Sequence, residues 1–250
     1  MRNLVFQYFF PYNEFPVYNT SGMGVMPKWA QIGIDSAQRY AWNIGAEYML
    51  ASKPWNDKLP INQFETMRLI YDPMFDYYDN ILCLDVDLIC NTKENIFELA
   101  GPEVTMVHEK GVWDAKKNWI NPYIYGSEAE RGWLALGRKY YDPDLKLPNS
   151  KMYKHEKRWC NGGVVVWTKE ARHKAREAFT GDSHYLKYRE FTNRSEQPYL
   201  NLMFNIHKFD VHELTADWNN VNFNWEAPNR PSGKFIHFIH NTKKYMEQLA

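Results

Sequence analysis

No stretch of this sequence holds the roughly 18–20 consecutive apolar residues of a membrane-spanning helix, so no span is expected. Charge of either sign is not in excess: 30 Lys plus Arg balance 30 Asp plus Glu, a formal net charge of zero. A general nucleic-acid binder carries a basic surplus, and none is expected to bind here. Cysteine is scarce, with Cys83, Cys90 and Cys160 the only three. An odd number at irregular spacing excludes a disulfide framework and a zinc motif, and buried reduced thiols are expected. No internal repeat or low-complexity tract interrupts the chain. Its start enters a strand without the apolar core of a signal peptide, so none is expected.

Aromatic residues, by contrast, are abundant at 16% of the 250 residues. They fill cores and also stack on sugars and bases. Apolar and polar periodicity outlines a β-α-β-α-β order. Leu4 to Phe10 reads as a strand, Lys28 to Ile44 as a helix and Ala46 to Leu50 as a strand. Gln63 to Phe75 follows as a helix with Pro73 near its end, then the strand from Ile81. Thr105 to His108, Trp159 to Trp167, Val211 to Leu214 and Lys234 to Phe238 read as later strands. Lys169 to Phe179 and Glu196 to Phe204 read as helices. The least regular part is Gly111 to Lys154, with one helix expected over 128–140; long irregular insertions of this kind build lids or acceptor surfaces. The fold class is therefore α/β, with a mostly parallel central sheet flanked by helices. One domain is expected over 1–250. In such sheets ligands bind beyond the C-terminal strand ends.

One such end is chemically unusual. The apolar run Ile81-Leu82-Cys83-Leu84 leads into Asp85-Val86-Asp87. Carboxylates one residue apart on a strand point to opposite faces, so a bend is needed for both to reach one place. Two unpaired carboxylates beside a core are costly, and a divalent cation is the simplest compensation. Far along the chain, His237 lies on the apolar strand Phe235-Ile236-His237-Phe238, with Lys243 and Lys244 shortly after it. Alone, His237 reads as a satisfied core histidine. Beside carboxylates, a neutral imidazole is a good ligand for ions of the Mn²⁺ type.

Four segments in order carry a family resemblance. Asp85-Val86-Asp87 resembles the Asp-X-Asp motif of GT-A fold, nucleotide-sugar glycosyltransferases of the glycogenin and family-eight type. Trp159-Cys160-Asn161-Gly162-Gly163-Val164 resembles their Phe-Asn-Ser-Gly-Val segment, and Glu196-Gln197-Pro198-Tyr199-Leu200-Asn201 their Asp-Gln-x-x-Leu-Asn segment. His237 with Lys243 resembles their His-x-x-Gly-x-x-Lys motif. The chain departs from the pattern where Gly162 replaces serine, Glu196 replaces aspartate and His240 replaces glycine.

The resemblance implies a Rossmann-like GT-A domain, with 1–100 as nucleotide-binding half and 101–250 as acceptor and sugar half. It implies sugar transfer from a nucleoside-diphosphate sugar, a UDP-sugar first among them, to a glycan, glycolipid or protein hydroxyl, with retention. Asp85, Asp87 and His237 would ligate Mn²⁺ or Mg²⁺. Gln7, Tyr8, Arg68, Asp85, Asn161, Gly162, Gly163 and Lys243 would contact the donor. Glu196, Gln197 and Asp87 would carry the chemistry. Were the enzyme inverting, Glu109, Asp114 and Glu156 are candidate acceptor bases. A bacterial or viral host cytoplasm is the expected setting, rather than a Golgi lumen; the oligomeric state is open. Two alternatives also stay open. One is a nucleotidyltransferase, faintly echoed by Gly22 to Lys28; the other is an inactive GT-A protein that only binds carbohydrate.

Overall fold

The structure is a computed structural model, and it describes residues 1–10, 26–55, 62–108, 160–179, 196–222 and 232–249. The helix expected over 128–140, Glu109, Asp114, Glu156 and Gly22 to Val25 lie outside these residues. β1 (Asn3–Tyr8) is followed by α1 (Lys28–Asn43) and β2 (Glu47–Ala51). A single α turn, α2 (Arg68–Tyr71), precedes β3 (Asn80–Leu84), β4 (Leu88–Cys90) and β5 (Val104–His108). β6 (Cys160–Thr168), α3 (Lys169–Ala178), α4 (Glu196–Ile206), β7 (Val211–Leu214), β8 (Asn220–Asn222) and β9 (Phe235–Phe238) complete the order.

Six strands form a sheet in the order β2-β1-β3-β6-β5-β7, and β4-β9-β8 form a second, smaller one. The large sheet is mixed. Three neighbour pairs run parallel, while β6 is antiparallel to both β3 and β5. Period-two alternation sorts its side chains. Leu4, Phe6, Ile81, Cys83, Val165 and Trp167 enter one core, and Val5, Leu82, Leu84, Val164 and Val166 enter another. α1 covers the second with Ala37, Tyr40 and Ala41, and α3 and α4 cover the first with Ala171, Ala175, Leu200 and Met203. Helices on both faces are what an α/β sheet buried on both sides requires.

The helix expected from Gln63 to Phe75 is broken. A 3₁₀ turn at Asn62–Met67 leads into α2, and a second 3₁₀ turn occupies Pro73–Tyr77. Pro73 disfavours helical backbone at the residue before it, and Asp72 is extended at φ −84°, ψ 114°. The Asp72 side chain then caps the new turn by accepting from the Met74 N–H.

A buried arginine fastens this segment to α3. Arg172 is fully buried and donates to the carbonyls of Trp167, Phe75 and Tyr78. Burial pulls its pKa down to about 10, which leaves it charged at neutral pH. Replacing it by methionine keeps the volume but strands three carbonyls, and should lower stability by about 2–4 kcal/mol. Urea unfolding monitored by circular dichroism measures this; an unchanged midpoint would show that the guanidinium does not hold the segment. Cys83 and Cys90 are free thiols, and burial raises the pKa of both. Among the described residues no helix is long and apolar enough to cross a membrane.

Candidate functional site

β3 ends at Leu84, and the chain turns at Asp85-Val86-Asp87 before β4. The turn is anchored from several elements. The Asp85 N–H donates to the Gly163 carbonyl at 3.0 Å, one step past the β3–β6 ladder. The Asp85 carbonyl accepts from Gln7 Nε2 at 3.0 Å, and Gln7 Oε1 accepts from the Tyr48 hydroxyl at 2.9 Å. The Asp87 carbonyl accepts from the Phe238 N–H at 2.8 Å. Behind the turn, α1 presents Gly33; a Cβ there would lie 1.8 Å from the Val86 carbonyl oxygen. With the backbone bent this way, both carboxylates reach one place.

The third group arrives through the small sheet. β9 pairs antiparallel to β4 with His237 opposite Leu88, the residue after Asp87. His237 Nε2 lies 3.1 Å from Asp87 Oδ1 and 3.6 Å from Asp85 Oδ2. Asp85, Asp87 and His237 each offer one ligand atom, all within 4.8 Å of one another. Lys243 Nζ sits 2.7 Å from Asp87 Oδ2 and rests over the Trp29 ring.

The electrostatics separate the two acids. Burial and the neighbouring Asp87 charge push Asp85 up to about 6. Burial would raise Asp87 too, but His237 and Lys243 outweigh it and hold this carboxyl well below the usual range. Burial alone would lower His237, and the two aspartates raise it instead. An anionic pair partly offset by an imidazole and an ammonium suits a hard divalent cation. Two carboxylate oxygens and one imidazole nitrogen form a donor set that Mn²⁺ accepts, and Mg²⁺ accepts it with more water.

Beside this cluster lie the first residues of β6. The β5–β6 ladder shifts register between Met106 and Val107, passing from Val165 to Asn161 on β6. The bulge leaves the N–H groups of Gly162 and Gly163 for side chains. Gly162 N–H donates to Gln197 Oε1 at 2.9 Å, and Gly163 N–H to Asn161 Oδ1 at 2.8 Å. Asn201, one helical turn after Gln197, brackets Cys160 through both its backbone groups. Both glycines sit close against neighbouring side chains. A Cβ at 162 would be 2.6 Å from Glu196 Oε1, and one at 163 would be 2.5 Å from His237 Cε1. The two departures Gly162 and Glu196 are neighbours in space, with the Glu196 carboxylate lying where a side chain at 162 would begin.

Glu196 is buried, and its Oε2 has no partner among the described residues. Burial, then Asp85, raises its pKa well above the carboxylate range. Burial, then Glu196 and Asp85, likewise raise Tyr8 at the end of β1.

The structure thus brings together Asp85, Asp87, His237 and Lys243, and beside them Asn161, Gly162, Gly163, Glu196 and Gln197. Gln7 lies at the same strand end, with its side chain bonded to the aspartate turn. Arg68 is tied to other acids, with Nε 3.1 Å from Asp72 Oδ2 and Nη1 3.5 Å from Glu65 Oε1. Glu65 is fully buried, and burial pushes it up to about 7. Sequence reasoning missed Gly33, Tyr48 and Asn219. A glycine inside the helical pattern Ile32-Gly33-Ile34 is a legible signal of close approach. Asn219, which contacts both Asn161 and His237, carries no such signal.

This mixed sheet, with an Asp-X-Asp turn at the end of a central strand and a small second sheet after it, has the GT-A fold seen in solved glycosyltransferases. Among solved structures, the chain is similar to a glycosyltransferase involved in the glycosylation of the major capsid of PBCV-1 (TM-score 0.53, 12% identity, 99% of this chain and 100% of that chain). It is also similar to the galactosyltransferase LgtC, solved in complex with donor and acceptor sugar analogs (TM-score 0.52, 10% identity, 99% of this chain and 94% of that chain). No family model and no curated protein matches the sequence. At such identities the likeness defines the fold and carries no substrate across.

Proposed function

We propose that this protein is a metal-dependent glycosyltransferase. It would transfer a sugar from a nucleoside-diphosphate sugar, a UDP-sugar first among them, to a hydroxyl of a glycan, glycolipid or protein, with retention. The observation that carries the reading is the convergence of Asp85, Asp87 and His237 within 4.8 Å at a strand end. Residues 1–100 form the nucleotide half and 101–250 the sugar and acceptor half.

Asp85, Asp87 and His237 would hold Mn²⁺ or Mg²⁺. Such an ion supplies charge compensation for the departing diphosphate. The protein's own groups do the rest. Lys243 exchanges its contact with Asp87 for the donor phosphates, adding positive charge where negative charge develops. Tyr8 and Gln7 border the base and ribose, and Arg68 of α2 would contact the donor only on leaving Glu65 and Asp72. Asn161, Gly162 and Gly163 border the sugar. Glu196 and Gln197 hold sugar hydroxyls, Glu196 through the oxygen that has no partner among the described residues. In the transfer the bond from the anomeric carbon to the phosphate oxygen breaks on the face where the bond to the acceptor oxygen forms. The acceptor proton passes to the leaving phosphate.

A donor hydrolysis screen over UDP- and GDP-sugars, with and without Mn²⁺, tests the reading. Slow, Mn²⁺-dependent release of one nucleoside diphosphate is expected. Failure of every donor to bind or turn over with Mn²⁺ present would sink it. Pyrophosphate release from a nucleoside triphosphate would replace it with nucleotidyl transfer.

A further inference from the structure

We infer that Asn219 is a positioning residue that holds the His237 imidazole in the one tautomer able to ligate a cation at this site. The inference rests on the proposal that Asp85, Asp87 and His237 bind a divalent ion.

The polarity of the hydrogen bonds follows from one group that cannot be reversed. The Gly163 backbone N–H is only a donor, so the Asn161 side-chain atom 2.8 Å from it must be Oδ1. That same oxygen lies 2.8 Å from the Asn219 amide, which must therefore present Nδ2 to it. Asn219 Oδ1 is then the atom 2.9 Å from His237 Nδ1, and it can only accept. His237 must carry a proton on Nδ1. In the neutral ring Nε2 is left with its lone pair, and Nε2 is the nitrogen aimed at Asp87 and Asp85. The amide and tautomer states, which coordinates alone leave open, are thus fixed by the network.

Burial makes the relay effective. Asn161, Asn219 and His237 are each buried, so water does not compete for these bonds. Asn219 ends the turn Ala216–Asn219, whose buried Trp218 packs edge-on against Phe235 of β9. The turn and the strand that carries His237 are thereby held together. Outer partners of this kind fix ligand orientation, and their loss typically weakens metal binding by about 10–100-fold.

Mn²⁺ titration followed by electron paramagnetic resonance tests the role in the wild-type chain, Asn219→Leu and Asn219→Asp. Leucine removes both hydrogen bonds. Aspartate keeps the acceptor for Nδ1–H and loses the donor to Asn161. The expected result is Mn²⁺ affinity lower by about 10–100-fold in Asn219→Leu and within about threefold of wild type, or tighter, in Asn219→Asp. Equal loss in both variants would mean that Asn219 merely bridges β6 to β9, and an unchanged Asn219→Leu would remove any role; either overturns the inference. A second measurement needs no variant at position 219. In the wild-type chain loaded with Zn²⁺ as a diamagnetic probe, the ¹⁵N signals of His237, assigned by their absence in His237→Gln, should show the proton on Nδ1. A proton on Nε2 overturns the inference even if Asn219→Leu does not fold. If the wild-type chain binds no Mn²⁺ at all, the proposed metal site itself fails, a result distinct from these.

Discussion

Asp87→Asn is expected to abolish Mn²⁺-dependent donor turnover, with kcat/KM lower by about 10³-fold or more. A divalent ion at a leaving diphosphate is worth several kcal/mol of transition-state stabilisation, and each ~1.4 kcal/mol is tenfold in rate. Asp87 is the acid on which the cluster turns. One of its oxygens meets His237 Nε2 and the other meets Lys243 Nζ. His237 and Lys243 hold it ionised far below neutral pH, whereas burial and Asp87 push Asp85 up to about 6. Asparagine keeps the shape and removes the charge, so the lost function is not a packing effect. The Asp87 backbone carbonyl still accepts from Phe238, and the turn should survive. Metal-stimulated nucleoside-diphosphate release and Mn²⁺ titration read the outcome. Activity within threefold of wild type would remove Asp87 from the proposed chemistry. Arg172→Met, which acts on the fold alone, should by contrast leave Mn²⁺ affinity of the folded fraction unchanged.

Gly33→Ala should be the most damaging one-carbon change in α1. Helix propensity alone predicts the opposite, since alanine is favoured over glycine in a helix interior by about 1 kcal/mol. The structure reverses the sign. The new Cβ would lie 1.8 Å from the Val86 carbonyl oxygen and 3.2 Å from that of Leu88. Both are backbone atoms, so no rotamer relieves the clash and the helix and the aspartate turn must separate. Overpacking of this kind costs about 1–3 kcal/mol, occasionally more. A displaced turn also misplaces both carboxylates, and an ångström at a reacting centre can cost about 10²-fold in rate. Thermal unfolding and Mn²⁺ titration together test this: stability lower by about 2–3 kcal/mol with Mn²⁺ affinity at least tenfold weaker. Gly45→Ala is the control. Gly45 has φ +68° with nothing within 4 Å of its Cβ position, so alanine there strains the backbone but leaves the site alone. Equal effects of the two substitutions on Mn²⁺ affinity would show that the α1 contact does not shape the turn.

Much of the framework was legible in the residue pattern. Ile81 and Cys83 alternate with Leu82 and Leu84, and this alternation divides them between the two cores. Tyr40, Ala37 and Ala41 recur at helical spacing and do bury one face of α1. The bend at Asp85-Val86-Asp87 followed from the need to bring two carboxylates to one place. Other features were not legible. The break in the helix expected over 63–75 turned on how a single proline competed with a good apolar stripe. The reversed direction of β6 depends on which strands it pairs with, and its own residues, apolar on both faces, suit either direction. Gln7, at the strand end where a donor contact was expected, uses its amide to hold the Asp85 carbonyl.

Local patterning therefore settled which segments are strands and helices, and which short runs carry chemically costly groups. That is short-range information, carried by side-chain period and by backbone restriction at proline and glycine. Tertiary structure alone decided that His237 meets Asp87, 150 residues earlier, through the β4–β9 register that sets His237 opposite Leu88. It alone decided that Gly162 lies against Glu196, and that Asn219 stands between Asn161 and His237. The reason is physical. A hydrogen-bonded register and a close approach between elements are properties of pairs of segments, and neither segment carries them by itself.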